Sequence, residues 1–268
     1  METSTVGGGE GMEGMSVKLA TEEVTLFSAW FCPFAQRAWI ALEEKKVKFR
    51  CVEVDPYAKP AELMAANPRG LVPAIVHKGK GLFESMVVVE YVDEAFPRGS
   101  LGIDDRPRGS LMPLEPYDRA LARIWIDHIG KKVVPTFYRV LQTQDPKEQD
   151  EAKADYLRAL KELSMAMVEL SPTSSFFMGG EQLGIVDIAL APWVAARSII
   201  VEHYRNLSIP PSSDFERLRR WRSAVLNHPS VKATLQDEDK LIQIYKRYAT
   251  NEATSQVAVA IKTNRPLP

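Results

Sequence analysis

One cysteine in this sequence lies where a thiol can be made reactive. Cys32 belongs to the stretch WFCPFAQR, residues 30–37, where an apolar strand gives way to a predicted helix beginning at Pro33. Proline is favoured at the first helical position because its missing N–H has no helical partner there, so Cys32 becomes the cap residue. Its sulfur then faces unpaired N–H groups and the positive end of the helix dipole, which lowers a thiol pKa. We therefore expect Cys32 to act as a nucleophile, with Arg37 adding positive charge one turn on.

The residue three positions after Cys32 restricts this chemistry. A disulfide oxidoreductase carries a second cysteine there, whereas this sequence has Ala35. A mixed disulfide on Cys32 must then be resolved by a thiol from solution, which is a monothiol mechanism. The alternative interpretation is a small core cysteine among Trp30 and Phe31, although the cap position favours the nucleophile.

The remaining cysteine and the histidines predict no metal or disulfide site. Cys51 alternates in phase with Val47 and Phe49 along a predicted strand, so we expect it to be a buried structural thiol. Its distance from Cys32 in the sequence fits neither a metal pair nor a redox pair. Among the histidines, His77, His203 and His228 are scattered without the spacing of metal ligands.

Composition and charge exclude several classes of protein. The chain has 268 residues, of which 45% are hydrophobic, enough for one large or two modest domains. Its 34 basic and 35 acidic residues leave a net charge of -1, so a nucleic-acid partner is not expected. No apolar run reaches the ~20 residues that span a bilayer, and the N-terminus lacks the layout of a secretion signal. We expect a cytoplasmic protein without a membrane span.

The pattern of apolar residues predicts two domains. Residues 22–97 contain short mixed elements in the order βαβαββα, which is typical of a thioredoxin-like α/β domain. Residues 98–115 are rich in proline, glycine and charge and are predicted to be a linker. Helical periodicity then predicts an all-α domain over 116–250. We expect residues 1–21 to be a flexible extension and residues 251–268 to be a loose tail.

Several short motifs together resemble the glutathione transferase superfamily. They are CPFAQR at 32–37, KP at 59–60, NPRGLVPAI at 67–75, ES at 84–85 and EYVDEAFP at 90–97. Within the superfamily the sequence is most similar to the omega-like transferases of the cysteine type, including fungal forms. The resemblance runs from about Val24 to Tyr248 and is stronger in the first domain. It implies the glutathione transferase fold, glutathione as co-substrate and a homodimer.

The resemblance also assigns roles to residues of the first domain. It implies a cis peptide bond before Pro73, with the Val72 backbone pairing with the cysteinyl part of glutathione like an added strand. Glu84 would meet the ammonium group of glutathione. Ser85 would cap the following helix and hold the γ-glutamyl carboxylate at its N-terminus.

Two further glutathione contacts and a second-substrate site follow from the same resemblance. Lys59 would reach the glycyl carboxylate, and Phe34 would pack beside the thiol. Trp221 lies where omega-like proteins place an aromatic residue of the electrophile site. Trp125 and His128 lie on the first long helix of the helical domain and are candidates for the opposite wall.

One acidic residue of the helical domain is expected to be structural. The stretch GIVDIALAPW at 184–193 resembles the buried capping motif of the superfamily, in which Asp187 caps its own helix. The Ser or Thr that would complete the motif is replaced by Gly184, so only half of the reciprocal hydrogen bonding is expected.

These observations predict a glutathione-dependent thiol transferase and reductase that acts through a mixed disulfide on Cys32. Its substrates would be disulfides, dehydroascorbate or glutathionyl ketones. One alternative is a transferase that conjugates glutathione to electrophiles, with a role in secondary metabolism conceivable for a fungal type. A second alternative is a non-catalytic protein that binds hydrophobic ligands.

Overall fold

The computed structural model describes residues 23–56, 58–97, 109–178, 180 and 182–268. The predicted extension at 1–21 lies outside these residues. So does most of the predicted linker, of which only 109–115 is described.

The first domain has the predicted βαβαββα order. Its elements are β1 (Val24–Ser28), α1 (Pro33–Glu44), β2 (Phe49–Glu53), α2 (Ala61–Ala66), β3 (Ala74–His77), β4 (Lys80–Phe83) and α3 (Ser85–Ala95). The sheet order is β2-β1-β3-β4, with β1 and β2 parallel and the other pairs antiparallel. Lys78 and Gly79 both have positive φ angles in the turn between β3 and β4, which suits a tight hairpin.

The second domain is helical, as predicted. The helices are α4 (Pro116–His128), α5 (Val134–Gln142), α6 (Pro146–Leu170), α7 (Ile185–Val194), α8 (Ser198–Arg205), α9 (Glu216–Asn227), α10 (Pro229–Lys232), α11 (Glu238–Ala249) and α12 (Gln256–Lys262). A π-helical turn over Ile129–Val133 joins α4 to α5. Of the described helices, none is long and apolar enough to cross a membrane.

The C-terminal segment differs from the expectation of a loose tail. It contains α12, whose N-cap Ser255 accepts a hydrogen bond from the Ala258 N–H at 3.1 Å. Ala253 and Ala258 are buried in the core. The helix has only seven residues and is built largely from small side chains, so its apolar period was too short to predict it.

Cys51 also differs from its predicted environment. It is exposed, because β2 is an edge strand and the alternation of apolar residues there does not coincide with a covered face. The prediction of a buried structural thiol is therefore wrong.

Asp187 closes the N-terminus of α7. Its carboxylate accepts hydrogen bonds from the N–H groups of Gly184 (2.8 Å) and Phe177 (2.8 Å) and from Trp221 Nε1 (2.7 Å). Glycine has no side chain to return a bond, so only the Asp187 half of the capping motif is made. Burial raises the pKa of Asp187 to about 6, against the opposing effect of these three donors. These contacts are those of a helix-capping residue.

A buried ion pair of the first domain anchors the segment that leads into the helical domain. Lys45 Nζ at the end of α1 lies 2.9 Å from Asp93 Oδ1 on α3, and both side chains are almost fully buried. The Asp93 carboxylate also accepts hydrogen bonds from the Ser110 hydroxyl and from the N–H groups of Leu111 and Met112, in the described part of the predicted linker. Burial alone would raise the pKa of Asp93, but these donors hold it below its ordinary value.

Replacing Asp93 tests this junction. A lowered folded-state pKa means that the carboxylate stabilises the fold above its unfolded pKa, and that this contribution is lost as the pH falls through the folded pKa. We expect Asp93→Asn to lower the free energy of unfolding at pH 7 by about 3 kcal/mol, since it leaves Lys45 buried without its partner. The loss should shrink at acid pH, where the wild-type carboxylate is protonated as well. Urea unfolding across the acid range measures both effects.

The matched control is Glu90→Gln on the same helix. Glu90 pairs with Arg123 at 2.9 Å, but the pair is largely exposed. That change should cost less than about 1 kcal/mol. Equal losses in the two variants would contradict the importance of the buried pair.

Candidate active site

A cavity of about 480 Å³ lies where the two domains meet. The first domain contributes every residue that the sequence assigned to glutathione or to catalysis, namely Cys32, Phe34, Lys59, Val72, Pro73, Glu84 and Ser85. The opposite wall comes from α5, α11 and the C-terminal segment. The sequence motifs, far apart in the chain, therefore meet at one place.

Cys32 is the N-cap residue of α1. Its backbone is extended (φ −79°, ψ 118°), and its carbonyl accepts a hydrogen bond from the Gln36 N–H at 3.1 Å. Pro33 follows at the first helical position, as the sequence predicted. The Cys32 sulfur lies in the cavity wall, 3.9 Å from the carbonyl oxygen of Val72. Both cysteines are free thiols, and Ala35 is buried in the core.

The electrostatic environment of the thiol contains opposing effects. Burial raises the pKa of Cys32, whereas the N–H groups of Ala35 and Phe34 and the charges of Arg197 and Arg37 lower it. The balance is a raised pKa, so the expectation of a low value from the helix N-terminus alone is wrong. The physical reason is that the same residues that form the cavity remove water from the sulfur. The charges of Arg197 and Arg37 and the N–H groups at the helix N-terminus offset part of this rise in the pKa.

Val72 presents its backbone to the cavity. The peptide bond between Val72 and Pro73 is cis, as expected. The ladders of β3 with β1 and β4 begin at Ala74, so Val72 has no strand partner among the described residues. An extended ligand can pair with it there in the manner of an added strand.

The turn into α3 differs in detail from the prediction. The N-cap residue is Glu84, with a φ of 70°, and Ser85 is the first helical residue. The Ser85 hydroxyl accepts a hydrogen bond from Arg37 Nη1 at 3.2 Å and does not cap the helix. The Glu84 carboxylate lies 2.5 Å from Arg69 Nη1. A strained backbone at a cavity wall is typical of ligand sites, and here it places a carboxylate and a helix N-terminus side by side.

Lys59 lies against a turn that requires glycine. Gly70 has a φ of 61°, and a Cβ there would come within 3.2 Å of Lys59 Nζ and 2.7 Å of Met64 Sδ. The lysine ammonium therefore lies over the backbone of this turn, at the cavity wall.

Three tyrosines of the helical domain face the thiol. Tyr138 on α5 and Tyr245 and Tyr248 on α11 line the cavity, with ring centroids 5.3 Å apart for Tyr245 and Tyr248 and 5.6 Å apart for Tyr138 and Tyr248. The Tyr245 hydroxyl donates to the Phe31 carbonyl at 3.3 Å. Burial raises the pKa of all three, so they are neutral hydrogen-bonding groups at pH 7. Apolar periodicity did not single them out, although YKRY at 245–248 places two tyrosines three residues apart on one helix face.

The three residues expected at the electrophile site lie elsewhere. Trp221 is fully buried and donates to Asp187, so its predicted place in the cavity wall is wrong. Trp125 packs on Phe177 and His128, with centroid distances of 5.6 and 5.4 Å, outside the cavity lining. Periodicity identified helix positions that are shielded from water but did not distinguish core from cavity.

The C-terminal segment supplies part of the wall instead. Residues 253–257 and Pro268 line the cavity, and Ser255 Oγ lies 2.9 Å from the Tyr248 hydroxyl. Within the described ranges, no cluster of three or more His, Cys, Asp or Glu side chains is arranged to hold a metal ion.

Comparisons with known proteins give consistent matches. The model of the glutathione S-transferase N-terminal domain matches residues 31–95, and that of the C-terminal domain matches residues 146–224. A probable glutathione S-transferase of Nicotiana tabacum, parC, is 34% identical over 85% of this chain and 96% of its own length.

Solved structures of two transferase classes are also similar. Glutathione transferase Omega 3C from Trametes versicolor has a TM-score of 0.74 and 37% identity, with 88% of this chain and 94% of that chain covered. A Tau class glutathione S-transferase from mango, Mangifera indica, has a TM-score of 0.76 and 28% identity, with 86% and 100% covered. The matches therefore include both the Omega and the Tau class.

A pair of valines in α12 tests whether the C-terminal segment contributes to the second-substrate site. Val257 lines the cavity, whereas Val259 is exposed. We expect Val257→Ala to raise KM for an apolar second substrate about threefold, because the two methyl groups that the change removes are only partly buried. Steady-state kinetics should show an unchanged KM for glutathione. Val259→Ala is the control, and equal effects of the two changes on the second substrate would contradict the assignment.

Proposed function

This chain belongs to the glutathione S-transferase family, and from that premise we propose that it is an omega-like, glutathione-dependent thiol transferase that uses Cys32. The observation that carries the proposal is the position of the Cys32 sulfur. It lies in the wall of the cavity between the two domains, at the N-terminus of α1, with no second cysteine beside it. A sulfur in that place can attack a disulfide directly.

The residues around the cavity suit each part of glutathione. The backbone of Val72, which lies outside the strand ladders, would bind the cysteinyl unit, and the Glu84 carboxylate would bind the ammonium. The N-terminus of α3 at Ser85 would hold the γ-glutamyl carboxylate. Lys59 would reach the glycyl carboxylate, and Phe34, packed on Trp193 with a centroid distance of 4.9 Å, would support the thiol.

The reaction proceeds in two exchange steps. The Cys32 thiolate attacks the glutathionyl sulfur of a mixed disulfide, which forms a Cys32–glutathione disulfide and expels the substrate thiolate. A second glutathione thiolate then attacks the glutathionyl sulfur on Cys32, releasing oxidised glutathione and regenerating the Cys32 thiolate. The expelled substrate thiolate takes up the proton that the second glutathione gave up.

A glutathionylation experiment tests the proposal. Incubation with oxidised glutathione should add one glutathionyl mass to the protein, and peptide mapping should locate it on Cys32. Cys51 is the internal control, since it is exposed but lies on β2 outside the cavity. Cys32→Ala should abolish the adduct and disulfide reduction while the protein stays folded. Full activity in Cys32→Ala, or an adduct confined to Cys51, would contradict the proposal.

A second candidate function, conjugation of glutathione to electrophiles, has an observation in its favour. Burial raises the pKa of Cys32, and a neutral thiol can donate a weak hydrogen bond to a glutathione thiolate. The Tyr138 and Tyr248 hydroxyls on the opposite wall add further polar groups to the cavity.

Cys32→Ser separates the two candidates. Serine donates a hydrogen bond but cannot form a disulfide, so we expect the variant to lose thiol transfer. If thiol transfer is the main activity, conjugation of glutathione to chlorodinitrobenzene should rise or appear in this variant. Conjugation that dominates in the wild type and falls in Cys32→Ser would instead favour the second candidate.

We also propose a homodimer in a reducing compartment such as the cytosol. Both cysteines are free, which suits such a compartment. Met64, Val87 and Ile124 are large apolar side chains exposed on α2, α3 and α4, and a second subunit would cover them. Light scattering at micromolar concentration should give twice the chain mass of 30.0 kDa. A particle of the chain mass would contradict the dimer.

A further inference from the structure

A buried arginine lies directly behind the turn that carries Cys32. Arg197 joins α7 to α8 and is 1% exposed. Its Nη2 donates to the Phe31 carbonyl at 3.0 Å, and its Nη1 donates to Gln36 Oε1 at 2.5 Å. These acceptors flank Cys32, one in the preceding peptide and one in the first turn of α1. The Arg197 guanidinium therefore donates hydrogen bonds to acceptors on both sides of Cys32 in the chain.

The hydrogen bonds of Arg197 leave its charge uncompensated. Its other acceptors are the Pro192 carbonyl at 2.9 Å and the Tyr245 hydroxyl at 3.1 Å, so every acceptor is neutral. Among the described residues, no carboxylate forms an ion pair with it. A buried cation is costly unless an anion lies near it.

Of the groups around Cys32, its own sulfur is the one that can supply an anion, once it has lost its proton. The titratable and charged groups that face it or share its cavity are Arg37 on α1, Tyr138 on α5, Tyr245, Arg247 and Tyr248 on α11, and Lys59 and Glu84 on the first-domain wall. The tyrosines are neutral at pH 7, and Glu84 is paired with Arg69. The Cys32 thiolate would complete the charge balance of this interior.

We propose that Arg197 is a positioning residue for Cys32, whose charge favours the thiolate and whose hydrogen bonds to Phe31 and Gln36 fix the sulfur in the cavity wall. The inference rests on the proposed role of Cys32 as nucleophile and deepens it. It assigns the reactivity of the thiol to a residue of the helical domain as well as to the N-terminus of α1. Reactivity then depends on the two domains being docked.

Alkylation of Cys32 as a function of pH tests this inference. The experiment uses the full chain with Cys51→Ser, so that iodoacetamide reports on Cys32 alone. We expect Arg197→Gln, which keeps a donor but removes the charge, to raise the midpoint of the rate profile by about one pH unit. At a pH below both midpoints this is about a tenfold lower rate. A folded Arg197→Gln protein with an unchanged midpoint would overturn the proposal.

Two further variants separate charge from hydrogen bonding. Tyr245→Phe removes one partner of Arg197 without changing the charge, so its midpoint should stay within about 0.3 units of the wild type. Arg197→Lys keeps the charge but loses the planar fork, so its midpoint should also stay close while thiol transfer slows. Near-UV circular dichroism checks folding of each variant.

If Arg197→Gln does not fold, the Arg197→Lys variant tests the proposed role of Arg197 instead. A Lys variant whose midpoint rises by a full unit, or whose thiol transfer is as fast as that of the wild type, would overturn the proposal. Alkylation requires no glutathione. A protein without thiol-transfer activity whose midpoint still moves in Arg197→Gln would therefore overturn the proposed function and leave the role of Arg197 in place.

Discussion

The site depends on positive charge buried between the two domains. Arg37 of α1 donates to the Ala189 carbonyl of α7 through Nε at 3.0 Å and Nη2 at 2.8 Å, and its guanidinium carbon lies 4.5 Å from the Trp193 ring centroid. Arg197 crosses the same interface in the other direction. Both guanidinium groups have neutral acceptors, so the interface places two cations behind the N-terminus of α1. The proposed stabilisation of a Cys32 thiolate by these charges therefore depends on that packing.

Burial of the thiol affects the pKa of Cys32 in two opposing ways. The walls that exclude water raise the pKa of Cys32, which keeps the thiol protonated in the absence of compensation. The same exclusion strengthens the effect of each nearby cation and N–H group. The three neutral tyrosines on the opposite wall add hydroxyl groups to the cavity without adding charge.

Local sequence features predicted the first domain and its side of the site well. Pro33 after Cys32 was predicted from residues adjacent in the chain, and the cis bond between Val72 and Pro73 was expected from the family resemblance of a short motif. These positions lie where the sequence placed them. Their physical basis is backbone conformation, which short motifs encode directly.

The helical side of the site could not be predicted in the same way. Trp221 and Tyr245 both lie on amphipathic helices, yet one fills the core and the other lines the cavity. The difference depends on how α9 and α11 pack against other elements, which periodicity does not contain. Cys51 was misplaced because alternation on an edge strand does not show which face is covered. The role of Arg197 was also invisible, since its partners Phe31 and Gln36 lie more than a hundred residues away.

The most direct measurement is a crystal structure of the protein soaked with oxidised glutathione. We expect a disulfide between Cys32 Sγ and the glutathione sulfur, with the cysteinyl backbone of glutathione paired to Val72 and its γ-glutamyl carboxylate at the N-terminus of α3. Glutathione bound without a covalent bond, with its sulfur held by a tyrosine hydroxyl and turned away from Cys32, would contradict it.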